Sequence, residues 1–177
     1  DTGRQFDATD VDVFTDSFTI SAWIKSEDGH PASVKTIGSY TAQDAVWVRV
    51  STTGTLVFSY KSDNNDGNDA ETGVVFSNGQ ESWHHVVFVA DSTIGGVGGK
   101  KIYLDGEEQT LSTSDGSTSG VTFADFATDY NFFIGALNNQ GSMVQGFTGE
   151  LSNPKLRSRA LSADEIKLEF ERERRNF

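Results

Sequence analysis

The chain has 177 residues, of which 36% are hydrophobic and 23% charged, a length and composition typical of one globular domain with a sizeable core. Its formal net charge of −12 argues against nucleic acid as a partner, because phosphate backbones are bound through clustered Lys and Arg. The chain has no Cys, which excludes disulfides, Cys-ligated zinc and thiol catalysis. No apolar run approaches membrane-spanning length, so we expect no membrane insertion.

Alternating apolar side chains predict β-strands along the first half of the chain. Residues 18–25 alternate strictly, which predicts a strand with one buried face, and residues 46–50 alternate in the same way. Residues 56–60 follow a Thr53-Gly54 turn and predict the second strand of a hairpin. Residues 85–89 are apolar at every position after His85, which predicts a central strand covered on both sides.

The second half continues the pattern. Residues 102–104 run into Asp105-Gly106, a strong two-residue hairpin signal, and further strands are predicted at 132–134 and 147–151. Pro154 predicts that the last strand is an edge strand or carries a bulge. Three stretches rich in Gly, Ser, Asp or Asn are predicted to be loops: 62–73, 94–99 and 111–122.

A short helix is predicted near the carboxyl end of the chain. Ser162 and Glu165 have the spacing of a capping box, in which each side chain bonds the backbone N–H of the other residue. The helix therefore begins near Ala163. Ile166 and Phe170 share one face, and we expect them to dock the helix on the strands, where it caps one end.

Six segments, in this order, resemble laminin G-like domains of the concanavalin A-like lectin superfamily. They are Phe18–Ile24, Trp83–Val86, Tyr103–Gly106, Phe133–Gly135, Phe147–Leu151 and Arg159–Ile166. The resemblance implies an all-β fold, a two-sheet antiparallel jelly-roll sandwich with a short C-terminal helix, and one domain over residues 1–177. Trp23 and Trp83 are expected at the sheet edges or between the sheets.

A carbohydrate site needs an aromatic face for sugar C–H groups and planar polar side chains for hydroxyls. Trp47 and Arg49 share the strand face opposite the valines of residues 46–50, which makes this face the candidate ligand site. The alternative is that Trp47 packs beneath flanking loops as a second small core. The resemblance places further candidate ligand residues nearby: Tyr40, Asp44, Asn138, Asn139 and Gln140.

Calcium is the candidate cofactor, in one of two regions. Residues 39–44 and 135–140 resemble pentraxin segments that carry calcium ligands, and the resemblance implies Asp44 and Asn139 as metal ligands. Ala45 and Leu137 stand where an Asn and a Glu are expected, so carboxylates are few. Residues 63–71 are a second acidic stretch, but their spacing does not fit an EF-hand, and a solvated turn is the alternative.

No catalytic constellation is evident. His84 and His85 stand at the start of the predicted central strand and are interpreted as structural, and Glu150 has no predicted second carboxylate for glycoside hydrolysis. The chain is therefore predicted to be a non-catalytic binding module for glycans, with possible calcium assistance. The alternative is a structural or adhesive domain of a virion, tail fibre or cell-surface protein that contacts other proteins. Either role predicts an extracellular or surface-exposed location. Because the chain begins at Asp1, we expect a mature fragment or excised domain of a larger protein or assembly.

Overall fold

The computed structural model describes residues 4–6, 17–26, 35–41, 45–61, 68–77, 82–91, 93–94, 99–113, 132–139 and 142–177. Fourteen strands and one α-helix lie within these ranges. In chain order they are β1 (Arg4–Phe6), β2 (Phe18–Ser26), β3 (Lys35–Thr41), β4 (Ala45–Val50), β5 (Thr55–Lys61), β6 (Asn68–Val74), β7 (His84–Ala90), β8 (Lys100–Leu104), β9 (Glu107–Glu108), β10 (Leu111–Thr113), β11 (Phe132–Ile134), β12 (Leu137–Asn139), β13 (Ser142–Val144), β14 (Gly149–Arg157) and α1 (Ala163–Glu173).

The strands form two main antiparallel sheets, which confirms the predicted jelly-roll sandwich. The seven-stranded sheet has the order β1-β11-β3-β4-β5-β6-β10, and the five-stranded sheet has the order β14-β2-β7-β8-β9. A separate hairpin pairs β12 with β13. That residues 1–177 are a single domain stays a prediction.

The core lies between the inner faces of the two sheets. Alternate residues of β2, β4, β5 and β7 meet there because successive side chains of a strand point to opposite faces. The fully buried members include Phe18, Val48, Phe58 and Phe88, and the ring of Phe58 meets those of Phe18 and Phe88 edge to face. The predicted inward direction of the β4 valines is thereby confirmed.

The Asp105-Gly106 hairpin and the irregular last strand are also confirmed. Both turn residues have positive φ, 51° and 82°, as a tight two-residue hairpin requires. β14 is an edge strand whose register with β2 shifts between Ser152 and Lys155, around Pro154. It spans Gly149–Arg157, so it begins two residues later and runs further than predicted.

Helix α1 begins as predicted. The backbone N–H of Glu165 donates to Ser162 Oγ, and the N–H of Ser162 donates to the Glu165 carboxylate at 2.9 Å, so the capping box is complete. Arg159 also binds the Glu165 carboxylate, and these contacts lower the pKa of Glu165 to about 2. The chain continues into a 3₁₀ turn at Arg174–Asn176.

The helix lies across the outer face of the five-stranded sheet and does not cap one end of the sandwich as expected. Ile166 is fully buried in a second apolar cluster with Leu161, Val87, Val89 and Tyr103. β2 is therefore buried on both faces, although its alternation predicted one buried face. The sequence pattern shows which side chains alternate, but the cover that α1 provides is a tertiary contact.

Trp23 shows how α1 covers the outer face of the five-stranded sheet. It is 2% exposed and lies on the outer face of β2, so the expectation of a position at a sheet edge or between the sheets was wrong. Its ring stacks on Phe170 at 5.8 Å and on Phe177 at 4.3 Å, and its Nε1 donates to Glu173 at 2.8 Å. The indole is thus covered by the helix and by Phe177, which follows it in the chain.

Two of the predicted loops contain strands. β6 begins at Asn68, inside the predicted loop 62–73, and β10 occupies Leu111–Thr113, inside the predicted loop 111–122. Their polar residues disfavour strands, but pairing of β6 with β5 and β10 supplies hydrogen bonds that outweigh the weak propensity. No helix in the described part of the chain is both long and apolar enough to cross a bilayer.

Candidate functional site

The outer face of the seven-stranded sheet carries a row of directly paired residues around Trp47. Strand pairing aligns Phe133 of β11 with Ser39 of β3, then Trp47 of β4, Ser59 of β5 and Asp69 of β6. Directly opposed residues of an antiparallel sheet share one face, so these five positions form one line across the strands. Trp47 therefore lies on the face opposite the core valines, as predicted, and Ser59 and Asp69 share that face. Phe133, Ser39 and Ser59 are buried there, and both the ligand face and the second small core beneath loops stay predictions.

Two hydrogen-bonding groups in the middle of this row have no partner among the described residues. They are the indole Nε1 of Trp47 and the hydroxyl oxygen of Ser59, and both atoms are buried. Trp47 as a whole is half-buried and Ser59 is 1% exposed. A buried unpaired polar group costs about 1–3 kcal/mol, so such groups are rare unless a ligand, ion or water satisfies them. Their side-by-side position marks the centre of the candidate site.

Arg49 lies in the next row, on the same face as Trp47. Its Nη2 donates to Asp69 Oδ2 at 2.7 Å, and its guanidinium carbon lies 5.9 Å from the centre of the Trp47 ring. Arg49 pairs with Val57 of β5, which in turn pairs with Glu71 of β6. The predicted pair of Trp47 and Arg49 is therefore in contact, and Arg49 is held by a carboxylate that the sequence interpretation had assigned to a loop.

The β12–β13 hairpin borders this face at β3. Ser39 Oγ donates to the carbonyl of Ala136 at 2.9 Å, which places the start of the hairpin beside the residue that pairs with Trp47. Asn138 and Asn139 follow in β12 and pair with Met143 and Ser142. The backbone thus places Ala136 beside the row that contains Trp47, and Asn138 and Asn139 follow Ala136 in the chain, while Gln140 lies outside the described residues.

Tyr40 and Asp44 are placed less directly. Tyr40 pairs with Val46 and Phe132, so its register position is in the row of core residues and not in that of Trp47. Asp44 immediately precedes β4 and lies outside the described residues. Their roles as ligand residues stay predictions.

The second candidate calcium region, residues 63–71, overlaps strand β6, which begins at Asn68. Residues 63–67 lie outside the described residues, but Asp69 and Glu71 are strand residues with protein partners. Asp69 binds Arg49, and Glu71 accepts a short hydrogen bond from the Thr55 hydroxyl. These two carboxylates are therefore not part of a solvated acidic turn. Calcium binding by either region stays a prediction.

The described residues contain one group with the geometry to hold a metal ion, and it lies on the other sheet. His85, Glu169 and Glu173 have their ligand atoms within 4.8 Å of one another between β7 and α1. Lys155 contacts both carboxylates, and Arg157 donates to Glu169 at 2.6 Å. These cations already neutralise the cluster, so we interpret it as the polar part of the helix dock.

The titration of Glu169 agrees with this interpretation. Burial by itself would raise the pKa of Glu169, but hydrogen bonds from His85 and Lys155 and the charge of Arg157 lower it to about 2. His85 is 1% exposed and packs on the Trp23 ring at 5.2 Å. His85 Nδ1 is buried and has no hydrogen-bond partner among the described residues, and the structural role expected for His85 stays a prediction.

His84 joins a chain of hydrogen bonds at the start of β7. Its Nε2 lies 2.9 Å from Ser82 Oγ, and its Nδ1 lies 2.8 Å from Asp105 Oδ2. Asp105 Oδ1 also accepts from the backbone N–H of His85, and the Asp105 N–H donates to the His85 carbonyl. The order Ser-His-Asp is that of a hydrolase triad, and the same contacts fasten the Asp105-Gly106 turn to β7.

Ser59 and Asp69 are site residues that sequence reasoning did not identify. Ser59 lies between two residues of a hydrophobic strand and was interpreted only as part of the alternation, and Asp69 was included in an acidic loop. The available signal was the alternation within β5, where Leu56 and Phe58 are apolar and Ser59 takes the other face; the pairing of Ser59 with Trp47 depends on the register that the turn sets. The pairing of β6 had no comparable signal.

Comparison with known proteins agrees with this architecture. The family model described as "Concanavalin A-like lectin/glucanases superfamily" matches residues 1–167. No sequence among the curated proteins matches the chain.

Several solved structures share the fold. The CBM40 of Ruminococcus gnavus IT-sialidase bound to α2,3-sialyllactose has a TM-score of 0.71 and 16% identity, over 96% of this chain and 93% of that one. A SAP-like pentraxin from Limulus polyphemus has a TM-score of 0.58 and 17% identity, over 86% and 69%. The binding domain of botulinum neurotoxin DC in complex with rat synaptotagmin II has a TM-score of 0.64 and 15% identity, over 91% and 37%. At these identities the likeness establishes a shared fold.

Proposed function

Because the chain belongs to the concanavalin A-like lectin/glucanases superfamily, we propose that it is a non-catalytic module that binds a carbohydrate on the outer face of its seven-stranded sheet. Among proteins of the same fold, the Ruminococcus gnavus CBM40 was solved with sialyllactose bound, which shows that this fold accommodates a glycan. Fold alone does not select a ligand, so the proposal depends on the site itself.

The observation that carries the proposal is the pair of polar groups at Trp47 and Ser59 that have no partner within the described ranges of the chain. Both atoms are buried, so a sugar hydroxyl would reach them only after the atoms that cover them move; it could then accept from the indole N–H and donate to the serine oxygen. The half-buried indole also offers apolar area for sugar C–H groups. Arg49, fixed over the same ring by Asp69, supplies further N–H donors at the edge.

A protein ligand is the second candidate. The botulinum neurotoxin DC binding domain of the same fold was solved in complex with synaptotagmin II, so the fold also presents surfaces to proteins. This corresponds to the structural or adhesive alternative. With a glycan or a protein as the ligand, we propose that the module acts outside the cell or on the surface of a cell or virion.

Calcium assistance is proposed only through Asp44 and Asn139. Asn139 lies in β12, beside the face that carries Trp47, so an ion held there would be adjacent to the ligand. Aspartate and asparagine oxygens are of the type that calcium prefers. The protein has to complete the coordination with other oxygens, and the described carboxylates Asp69 and Glu71 are already engaged.

The proposal is tested by screening the folded protein on a glycan array and measuring affinity for each bound glycan by titration calorimetry. Trp47→Phe keeps an aromatic ring but removes the N–H, and we expect it to weaken binding roughly 2- to 10-fold, the worth of one hydrogen bond. Trp83→Phe is the matched control, because Trp83 is also half-buried but contacts Phe177 near the other sheet.

Three results would count against the proposal. Equal affinities of wild type and Trp47→Phe would remove this face as the site. A protein that binds no glycan but forms a tight complex with a protein would favour the adhesive alternative. Hydrolysis of p-nitrophenyl acetate that is lost in Ser82→Ala would contradict the non-catalytic part.

A further inference from the structure

The charges around the Trp47–Ser59 pair bear on which sugars the site accepts. Among the described side chains of this sheet face, Arg49 is the only cation, whereas Asp69 and Glu71 are both carboxylates. Asp69 holds Arg49 at 2.7 Å, and both side chains are only about one-fifth exposed, at 18% and 22%. A carboxylate on a ligand would therefore have to share Arg49 with Asp69.

A second cation, Lys100, lies on the core side of the sheet. Lys100 of β8 is 2% exposed, and its ammonium lies 5.7 Å from the centre of the core ring of Phe58. Burial lowers the pKa of Lys100 to about 8, and the negative charge of Asp69 opposes that change. The positive charge of Lys100 thus partly offsets the negative charge of Asp69 from the core side of the sheet. Its ammonium group does not point to the outer face.

Recognition of an acidic sugar has different requirements. Carboxylate and sulfate groups are bound most strongly by an arginine whose planar fork is free to make two parallel hydrogen bonds. Here one nitrogen of the fork, Nη2, donates to Asp69, so an acidic group on a ligand would compete with the Asp69 carboxylate for Arg49, whose guanidinium carbon lies 5.9 Å from the centre of the Trp47 ring. The groups to which no described residue bonds, Trp47 Nε1 and Ser59 Oγ, are neutral and suit hydroxyls.

We infer that this face selects uncharged sugars over sugars that bear a carboxylate or sulfate, and that Asp69 is the residue that sets the preference. The inference rests on the proposed function, since it assumes that a glycan binds at Trp47 and Ser59. It distinguishes this chain from the fold relative that was solved with sialyllactose.

The experiment compares neutral glycans with their sialylated, uronic-acid and sulfated counterparts on one array, at physiological ionic strength. Wild type is expected to bind neutral glycans and to bind their acidic counterparts more weakly. Asp69→Asn keeps the size of the side chain and removes its charge, which frees Arg49. We expect it to raise the ratio of acidic to neutral binding by about fivefold, the size of one partly exposed charge pair.

Asp164→Asn is the matched control, because it changes the net charge by the same amount from an exposed position in α1. It is expected to leave the ratio unchanged. Thermal unfolding of both variants shows whether each is folded, and the wild-type array decides the sign of the preference even if Asp69→Asn does not fold.

The outcomes separate the two proposals. Wild type that binds acidic glycans as tightly as neutral ones overturns the selectivity and leaves the proposed function intact. A ratio that does not change in folded Asp69→Asn, or that changes equally in Asp164→Asn, removes Asp69 as its determinant. Binding of no glycan at all overturns the proposed function, and the selectivity with it.

Discussion

Ser59 and Ser39 offer a direct test of the unpartnered groups at the site. Both serines flank Trp47 in the same row of the sheet, and both are buried, at 1% and 0% exposure. They differ in one respect: Ser39 Oγ donates to the carbonyl of Ala136 at 2.9 Å, whereas Ser59 Oγ has no partner among the described residues. Substitution of each by Ala removes one hydroxyl from nearly the same environment.

The two variants are expected to change stability in opposite directions. Ser59→Ala removes a buried group that costs about 1–3 kcal/mol when unpaired, so the free energy of unfolding should rise by about 1 kcal/mol or more. For a domain of this size, 1 kcal/mol corresponds to a shift in Tm of roughly 2–4 °C. Ser39→Ala breaks a formed hydrogen bond and should lower the free energy of unfolding by about 1 kcal/mol.

Urea unfolding followed by tryptophan fluorescence measures both changes, and the glycan titration measures the functional counterpart. If Ser59 contributes to the site, Ser59→Ala binds its glycan roughly 2- to 10-fold more weakly although it is more stable. The reasoning is refuted if Ser59→Ala loses as much stability as Ser39→Ala, because Ser59 would then have a partner in the free protein.

Three further predictions concern the helix dock and calcium. Ile166→Ala should lower the free energy of unfolding by about 2–5 kcal/mol because Ile166 is fully buried, whereas Leu168→Ala, at a position that is half exposed on the same helix, should change it by less than about 0.5 kcal/mol in chemical denaturation. The lowered pKa of Glu169 means that its contribution is present above its ordinary pKa of 4.5 and is lost as the pH falls toward about 2; wild type should lose stability more steeply than Glu169→Gln over that window, and parallel pH curves would contradict this. If Asp44 binds calcium, EDTA should lower Tm and glycan affinity in wild type and leave Asp44→Asn unaffected, whereas a wild type insensitive to EDTA would refute the calcium proposal.

The strands that bury one or both faces were predictable, because the pattern of apolar side chains that marks each strand lies within a few consecutive residues. The β4 valines, the apolar run of β7 and the Asp105-Gly106 turn each show their structure within a few residues. The capping box at Ser162 is equally local and was confirmed to the residue. The Trp47–Arg49 face follows from the same alternation.

The polar strand β6 was not predictable in this way. Its residues read as a loop, and only its pairing with β5 and β10 makes it a strand. That pairing places Asp69 against Arg49, which changes Arg49 from a free cation to an engaged one. The electrostatic character of the candidate site was therefore out of reach of any argument from composition or spacing.

The amino-acid sequence by itself determined the sandwich, since a period of two in apolar side chains has to be buried between two sheets whatever else the chain does. It also determined the start of the helix and which face carries Trp47. Tertiary structure decided where the helix lies, which carboxylate meets Arg49, and that Trp47 and Ser59 stand side by side with polar atoms that no other described residue bonds. These features join residues that are distant in the chain, and strand order and register, which bring them together, are properties of the whole fold.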